Sequence, residues 1–311
     1  MTARFRFAFA LPLAALLACQ SADGRRSTDS TATAAASADT TGTDSTARRI
    51  AQNGDLKHPE SAAYDPDLHV WFVSNINGDP SAHDGNGFIS RLTSDIATDS
   101  LKFIESGRNG ARLDAPKGLA IQGDTLWVAD INVIRAFNKR TGRPVATVSA
   151  AGARFLNDVA VGPDGAVYVT DTGGDRGPYR IYRVGADHRA AVAIEDTTLA
   201  GPNGIAWDSR RQLFVVATMG SRKILSWDPA QKAVSTIGTG AGMQDGIGVL
   251  PDGRVVASSW NDSTLFLPAD STARPLIPGV PSPADFGIDS AGRRIAIPLL
   301  MENRVELWQL P

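Results

Sequence analysis

The chain has one cysteine in 311 residues, at position 19, and only four histidines. A disulfide framework is excluded, and a zinc site built from cysteine and histidine has too few ligands to draw on. Charge of one sign is lacking as well: 31 basic residues meet 33 acidic ones, interspersed, for a net charge of −2. Nothing here suits a nucleic-acid backbone, and no nucleic-acid partner is expected. Long apolar runs are scarce too. The run FAFALPLAALLA, ending at Ala18, is too short to span a bilayer as a mature helix.

What that run does resemble is the apolar part of a secretory signal, with Arg4 and Arg6 ahead of it. Its last residues with the cysteine, LLAC, resemble a bacterial lipobox, in which the cysteine is acylated and becomes the mature N-terminus. The alternative is an ordinary secretory signal with an incidental cysteine. Gln20 follows where Asp would mark inner-membrane retention, so the resemblance implies a lipid-anchored protein at the outer membrane, facing the periplasm. Residues 1–18 are thus read as a lipoprotein signal peptide. Residues 19–47, nearly all Ser, Thr, Ala, Asp and Gly at first, cannot bury a core and read as a disordered tether.

Residues 48–311 repeat one pattern. GPNGIAWDSRRQLFVVATMGSRKILSW, from Gly201 to Trp227, holds three short apolar strands separated by polar turns. Six copies can be laid down. First strands are SAAYD, GLAIQ, DVAVG, GIAWD, GIGVL and FGIDS; second strands run from VWFVSN to IAIPLL, and third strands from FISRL to RVELW. A fourth strand appears in five copies, and the sixth runs out of chain at Pro311. RRIAQN, residues 48–53, resembles the missing strand. A period of roughly 40 residues with four strands per unit is the signature of a β-propeller. The expected fold is all-β, a six-bladed β-propeller whose last blade is closed by the N-terminal strand, which removes an exposed sheet edge.

Inner strands of a propeller run alongside its axis, so equivalent positions converge at one mouth of the channel. The residues ahead of the six first strands are Glu60, Lys117, Asn157, Asn203, Asp245 and Asp285. Asn or Asp before Gly is ordinary turn chemistry in any single copy. Four oxygen side chains in the same slot of four repeats are a different matter. Glu60, Asn157, Asn203 and Asp245 form a hard-donor set that suits Ca²⁺, with another divalent cation as a substitute.

These residues resemble the calcium-dependent six-bladed propellers that include gluconolactonase and regucalcin and, more distantly, diisopropyl fluorophosphatase. The likeness runs from about Ile50 to the C-terminus and is carried by PNG at Pro202–Gly204 and by QDGIGVLPDG from Gln244. It implies a metal held by Glu60, Asn157, Asn203 and Asp245. Two departures are visible: Glu60-Ser61-Ala62 stands where gluconolactonases have EGP, and the arginine-rich substrate contacts have no equivalent.

A metal so held can polarise a lactone or ester carbonyl, or a phosphoryl oxygen, and stabilise the oxyanion formed when water attacks. Asp245 or Asp285 is the candidate general base, and Lys117 can hold a substrate oxygen, offset the acidic ring or be a solvated rim residue. Asn75, Asp130, Asp171 and Trp260 end second strands and stand ready to brace the ligands or wall the pocket. The long loop from Asn75 to Gly87, with His83 inside it, reads as a lid. Two classes stay open: a hydrolase of a small-molecule lactone or ester, expected as a monomer, and a non-catalytic propeller of the NHL-like kind that binds a protein or glycan. If Cys19 is the anchor, Cys19→Ser moves the protein out of the membrane fraction; unchanged association with membranes would reject the lipidation.

Overall fold

The computed structural model describes residues 46–174 and 177–311. The expected signal peptide, Cys19 and the tether up to residue 45 lie outside the described residues. Ala47, assigned to the tether from sequence, packs against the apolar cluster shared by the fifth and sixth sheets and so belongs with the domain. No helix of the described residues is long and apolar enough to cross a membrane.

Six four-stranded antiparallel sheets follow one another along the chain. In the first five, the strands lie side by side in chain order, as in Pro59–Asp65, Val70–Asn75, Phe88–Thr93 and Thr98–Glu105 for the first blade. The sixth combines Gly287–Asp289, Arg294–Leu299 and Arg304–Gln309 with Arg48–Asn53 as its outermost strand. The expected ring closure is therefore present: Arg48 lies opposite Gln309 and Asn53 opposite Val305. Polar contacts hold this closing strand on both sides. Arg49 Nη1 donates to Glu306 Oε1 at 2.7 Å, and Asn53 Nδ2 donates to Ile96 O of the first blade at 2.8 Å.

The three inner strands of each sheet are largely buried on both faces, which is why they are apolar without a polar side, whereas the outermost strands are largely exposed or half-buried. Alternation still decides which neighbour each residue meets. Trp71 and Val73 pack toward the sixth blade, whereas Phe72 packs toward the second. Phe214 and Val216 join the cluster with the third blade, and Val215 and Ala217 the cluster with the fifth. The core is thus a ring of six wedges, one between each pair of neighbouring blades. At roughly 1.5–3 kcal/mol for each large apolar side chain, these wedges hold the circle together.

Five inner strands begin two residues earlier than the sequence pattern suggests, with Pro59, Pro116 and Pro202 as first residues of three of them, whereas the sixth begins at Gly287, one residue later. Proline is tolerated there because the first residue need not donate to the ladder. Just after its first residue each of the five carries a bulge. Pro59 faces Asn75 and Ala62 faces Val73, so three steps on one strand match two on the other. The same excess separates Pro116 from Leu119, Leu156 from Val159, Pro202 from Ile205 and Gln244 from Ile247. A bulge leaves a residue out of the ladder and re-aims its side chain, and it recurs where proteins build sites.

Inner strands also approach one another closely. A Cβ on Gly118 would stand 2.4 Å from Asp158 Cα and 2.7 Å from Asn157 O, and one on Gly246 would stand 2.7 Å from Asp285 Cα. Gly118→Ala should therefore force adjacent blades apart at the axis and cost about 1–3 kcal/mol. A thermal melt checks this, and a midpoint equal to that of the native protein would show that the inner ring has slack.

Candidate metal centre at the propeller axis

The bulges define two neighbouring positions in each blade. The first is occupied by Glu60, Lys117, Asn157, Asn203 and Asp245, and the second by Ser61, Gly118, Asp158, Gly204 and Gly246. In the sixth blade Pro283 lies opposite Leu299 and Gly287 opposite Ala296, which puts Ala284 in the first position and Asp285 in the second. Hydrogen bonds between blades say the same. Thr170 Oγ1 of the third blade donates to Asn203 O, and Ser258 Oγ of the fifth donates to Ala284 O. Asp285, expected in the sixth of the equivalent positions and as a candidate base, is thus displaced by one residue. Its Oδ2 accepts from Ser61 Oγ at 2.5 Å, its equivalent in the next blade.

Glu60, Asn157, Asn203 and Asp245 are all buried, with at most 5% of each exposed. Seven buried side-chain polar atoms lack a hydrogen-bond partner among the described residues, and four of them are Glu60 Oε2, Asn157 Oδ1, Asn203 Oδ1 and Asp245 Oδ1. The others are His58 Nδ1, Trp227 Nε1 and Asp65 Oδ2, the last lying 2.9 Å from Lys139 Nζ. An orphaned buried acceptor costs about 1–3 kcal/mol, more when charged. One on each of four equivalent positions makes a ring of unpartnered oxygens. The amide groups themselves are held: Asn157 Nδ2 donates to Thr172 Oγ1 at 3.1 Å, and the Asn203 side chain bonds to Asp245. Trp260 Nε1 donates to Asp245 Oδ2 at 2.8 Å, which leaves Oδ1 as the free atom. No group of three or more His, Cys, Asp or Glu side chains stands together as a metal cluster among the described residues. Two carboxylates and two amides fall outside such a group, yet they are a hard-oxygen set of the kind Ca²⁺ takes.

Electrostatics favours a cation here. Burial raises the pKa of Asp245 and Asp158 to about 7. Glu60 is pushed well above the usual carboxylate range by burial and by Asp245 and Asp285, and Asp285 by burial and Asp158. Among the described residues, Lys117 is the cation acting on Glu60. It is buried, its pKa lowered to about 8 by burial against the pull of Glu60, so it is no solvated rim residue. Its Nζ donates to Pro80 O at 3.0 Å and Ala115 O at 3.1 Å.

The ends of the second strands do lie beside this mouth, but three of the four residues singled out there have another task. Asn75 Oδ1 accepts from Lys57 N, Asp130 from Asp114 N and Ala115 N, and Asp171 from Arg154 N and Phe155 N. Each clamps the backbone that enters the neighbouring inner strand of its own blade, two or three residues ahead of the ring position. Only Trp260 touches a ring side chain. His83 lies on the loop from Asn75, 52% exposed, with Nδ1 at 3.4 Å from Asp114. It stays outside the ring.

A circle of six four-stranded blades around an oxygen-lined axis defines a class, the six-bladed β-propellers. A family model described as SMP-30/Gluconolactonase/LRE-like region matches residues 91–269, more than half of the 311-residue chain, and the chain belongs to this family. Among solved structures, a gluconolactonase from Xanthomonas campestris is similar over 83% of this chain and 88% of its own, at 19% identity and a TM-score of 0.65. A virginiamycin B lyase from Staphylococcus aureus is similar over 85% of this chain and 99% of its own, at 13% identity and a TM-score of 0.57. A chain of a nidogen/laminin complex matches 68% of this chain and 76% of its own, at 18% identity and a TM-score of 0.57. At such identities these likenesses are of fold, and the fold hosts hydrolase, lyase and binding protein alike. No curated protein matches the chain.

The raised pKa values set a pH dependence. Asp158 and Asp245 titrate near 7 in the folded chain and near 3.8 as free side chains, so their contribution to stability is full below about 4 and lost as pH rises through 7. The metal-free protein should melt progressively lower between pH 5 and pH 8, and added calcium should restore more at the upper end. A melting temperature that rises over this interval in chelator would contradict the charge balance described here.

Proposed function

We propose that the protein is a calcium-dependent hydrolase of a lactone or related ester, with the metal at the propeller axis. One observation carries the reading: four equivalent bulge positions each present a buried oxygen with no partner. Glu60, Asn157, Asn203 and Asp245 would hold the ion, whose contribution when bound is to polarise a carbonyl oxygen and favour the oxyanion.

The chain's own side chains supply the rest. Asp245 is the base: its Oδ1 goes to the ion, and its Oδ2, oriented by Trp260 Nε1, keeps a lone pair to take a proton from the attacking water. Asp285, the other base weighed from sequence, sits one residue deeper and already accepts from Ser61. Its part is to add negative charge beneath the ring. Lys117 offsets the charge of Glu60, and two of its three N–H groups go to backbone carbonyls rather than to a substrate oxygen. The family supports a lactone or ester as the substrate class, and the Cys19 lipobox supports work at the cell envelope on a lipid anchor.

A panel of lactones and aryl esters, assayed with calcium and again with chelator, tests the reading. Hydrolysis should require calcium, and Glu60→Gln, which keeps shape and removes charge, should lose more than the roughly 10–100-fold typical of changes around a metal's ligands. Hydrolysis that survives both chelator and Glu60→Gln would overturn the mechanism. A protein that binds calcium but hydrolyses nothing on the panel would favour the binding-propeller alternative.

A further inference from the structure

Lys117 stands in the ring position where four other blades carry oxygen donors, yet its amine serves a different element. Only 1% of the residue is exposed, a degree of burial that lysine rarely reaches. Its Nζ is satisfied by the Pro80 and Ala115 carbonyls and lies 4.3 Å from the centre of the Phe155 ring. Its direct partners are carbonyl dipoles and an aromatic face, while Glu60, Asp130 and Asp79 act on its charge from further off. Glu60 Oε2 therefore stays unpaired although an ammonium is close enough to act on it.

Pro80 lies on the loop between Val70–Asn75 and Phe88–Thr93, on the same face as the ring positions. The hydrogen bond to Lys117 brings Pro80 within one lysine side chain of the ring. The loop has a second anchor. Gly85 N donates to Asp114 Oδ1 at 3.0 Å, Gly87 N donates to Asp114 O at 3.2 Å, and Asp114 is itself held by Arg112 Nη2 at 3.0 Å. Both anchors, Lys117 and Asp114, belong to the segment that enters the second blade. Ser81, His83 and Asp84, between them, are exposed, and the nearby bonds Ala82 N to Asp79 O and Ser81 N to Asp79 Oδ1 are local. Ile76 N and Asn77 N hold the start of the loop through His58 O and Lys57 O, and His83 Nδ1 lies 3.4 Å from Asp114. Beyond residue 77 the loop therefore depends on Lys117 and Asp114.

We propose that Lys117 is a positioning residue that ties the loop 76–87 across the side of the axial mouth formed by the first and second blades, and so limits the size of what reaches the ring. The functional meaning rests on the axial-site reading above, whereas the tie itself stands on the contacts of Lys117 with Pro80, Ala115 and Phe155. A ring position has been converted from ligand to latch. Arginine, longer but able to donate, should keep part of the latch; methionine, similar in length and able to pack on Phe155, should not.

Hydrogen exchange read by mass spectrometry on the full chain, in chelator and without substrate, tests this independently of any metal. In Lys117→Met, amides of residues 78–86 should exchange roughly tenfold to hundredfold faster, the worth of a hydrogen bond to a charged group. The inner strands should keep native protection, and Lys117→Arg should recover much of the loop's protection. Native exchange of the loop in Lys117→Met, or faster exchange spread evenly over all six blades, would overturn the proposal. Because no metal is present, a failure to bind calcium leaves this result readable, and a native loop in the variant leaves the calcium reading intact.

Discussion

Buried like charge at the axis is the constraint on which the rest of this propeller depends. Glu60, Asp158, Asp245 and Asp285 are each at most 7% exposed, and Lys117 is the cation that acts on them through Glu60. Burying carboxylates side by side is costly unless they take up protons or a cation. The pKa values of about 7 for Asp158 and Asp245 follow the first route, and the free oxygens of Glu60, Asn157, Asn203 and Asp245 support the second, which is the proposal made above. A divalent cation relieves the repulsion and satisfies four orphaned acceptors at once. Stability would then be given up at the axis in exchange for a preformed, hard-oxygen site.

Holding such a site open requires a stiff frame. The wedges between blades supply it, and the strand Arg48–Asn53 closes the circle so that no blade can slide outward. Bulges turn the ring side chains toward the axis, and Asn75, Asp130 and Asp171 clamp the backbone leading into the ring. Glycine at 118 and 246 lets neighbouring inner strands come near enough for those side chains to converge. The features are separate in sequence but act on the same few backbone segments.

Much of this was legible before any coordinates. Strand period, blade number and the closing role of RRIAQN followed from apolar patterning, because the three inner strands of each sheet are largely buried on both faces and each shows as an apolar block. The four ring positions at Glu60, Asn157, Asn203 and Asp245 followed from an oxygen side chain recurring in one slot. Asp285 shows where the pattern fails: PADFGID places an acid just before an apolar pair, which looks like the slot, whereas the bulge puts silent Ala284 there. A one-residue excess in pairing leaves no mark in composition. Asp130 and Asp171 were misjudged for a related reason, since a carboxylate at a strand end reads the same whether it faces a pocket or caps two backbone N–H groups. Lys117 could be placed in the ring, but its bond to Pro80 joins residues 37 apart and is not encoded locally.

The most direct measurement is a calorimetric titration of calcium into the metal-free protein, run beside Asp245→Asn. The account predicts one ion bound per chain and a large loss of affinity in the variant, whose fold, read from its circular dichroism, is kept. No binding to the native protein, or native affinity in Asp245→Asn, would contradict the axial centre and return the ring to ordinary turn chemistry.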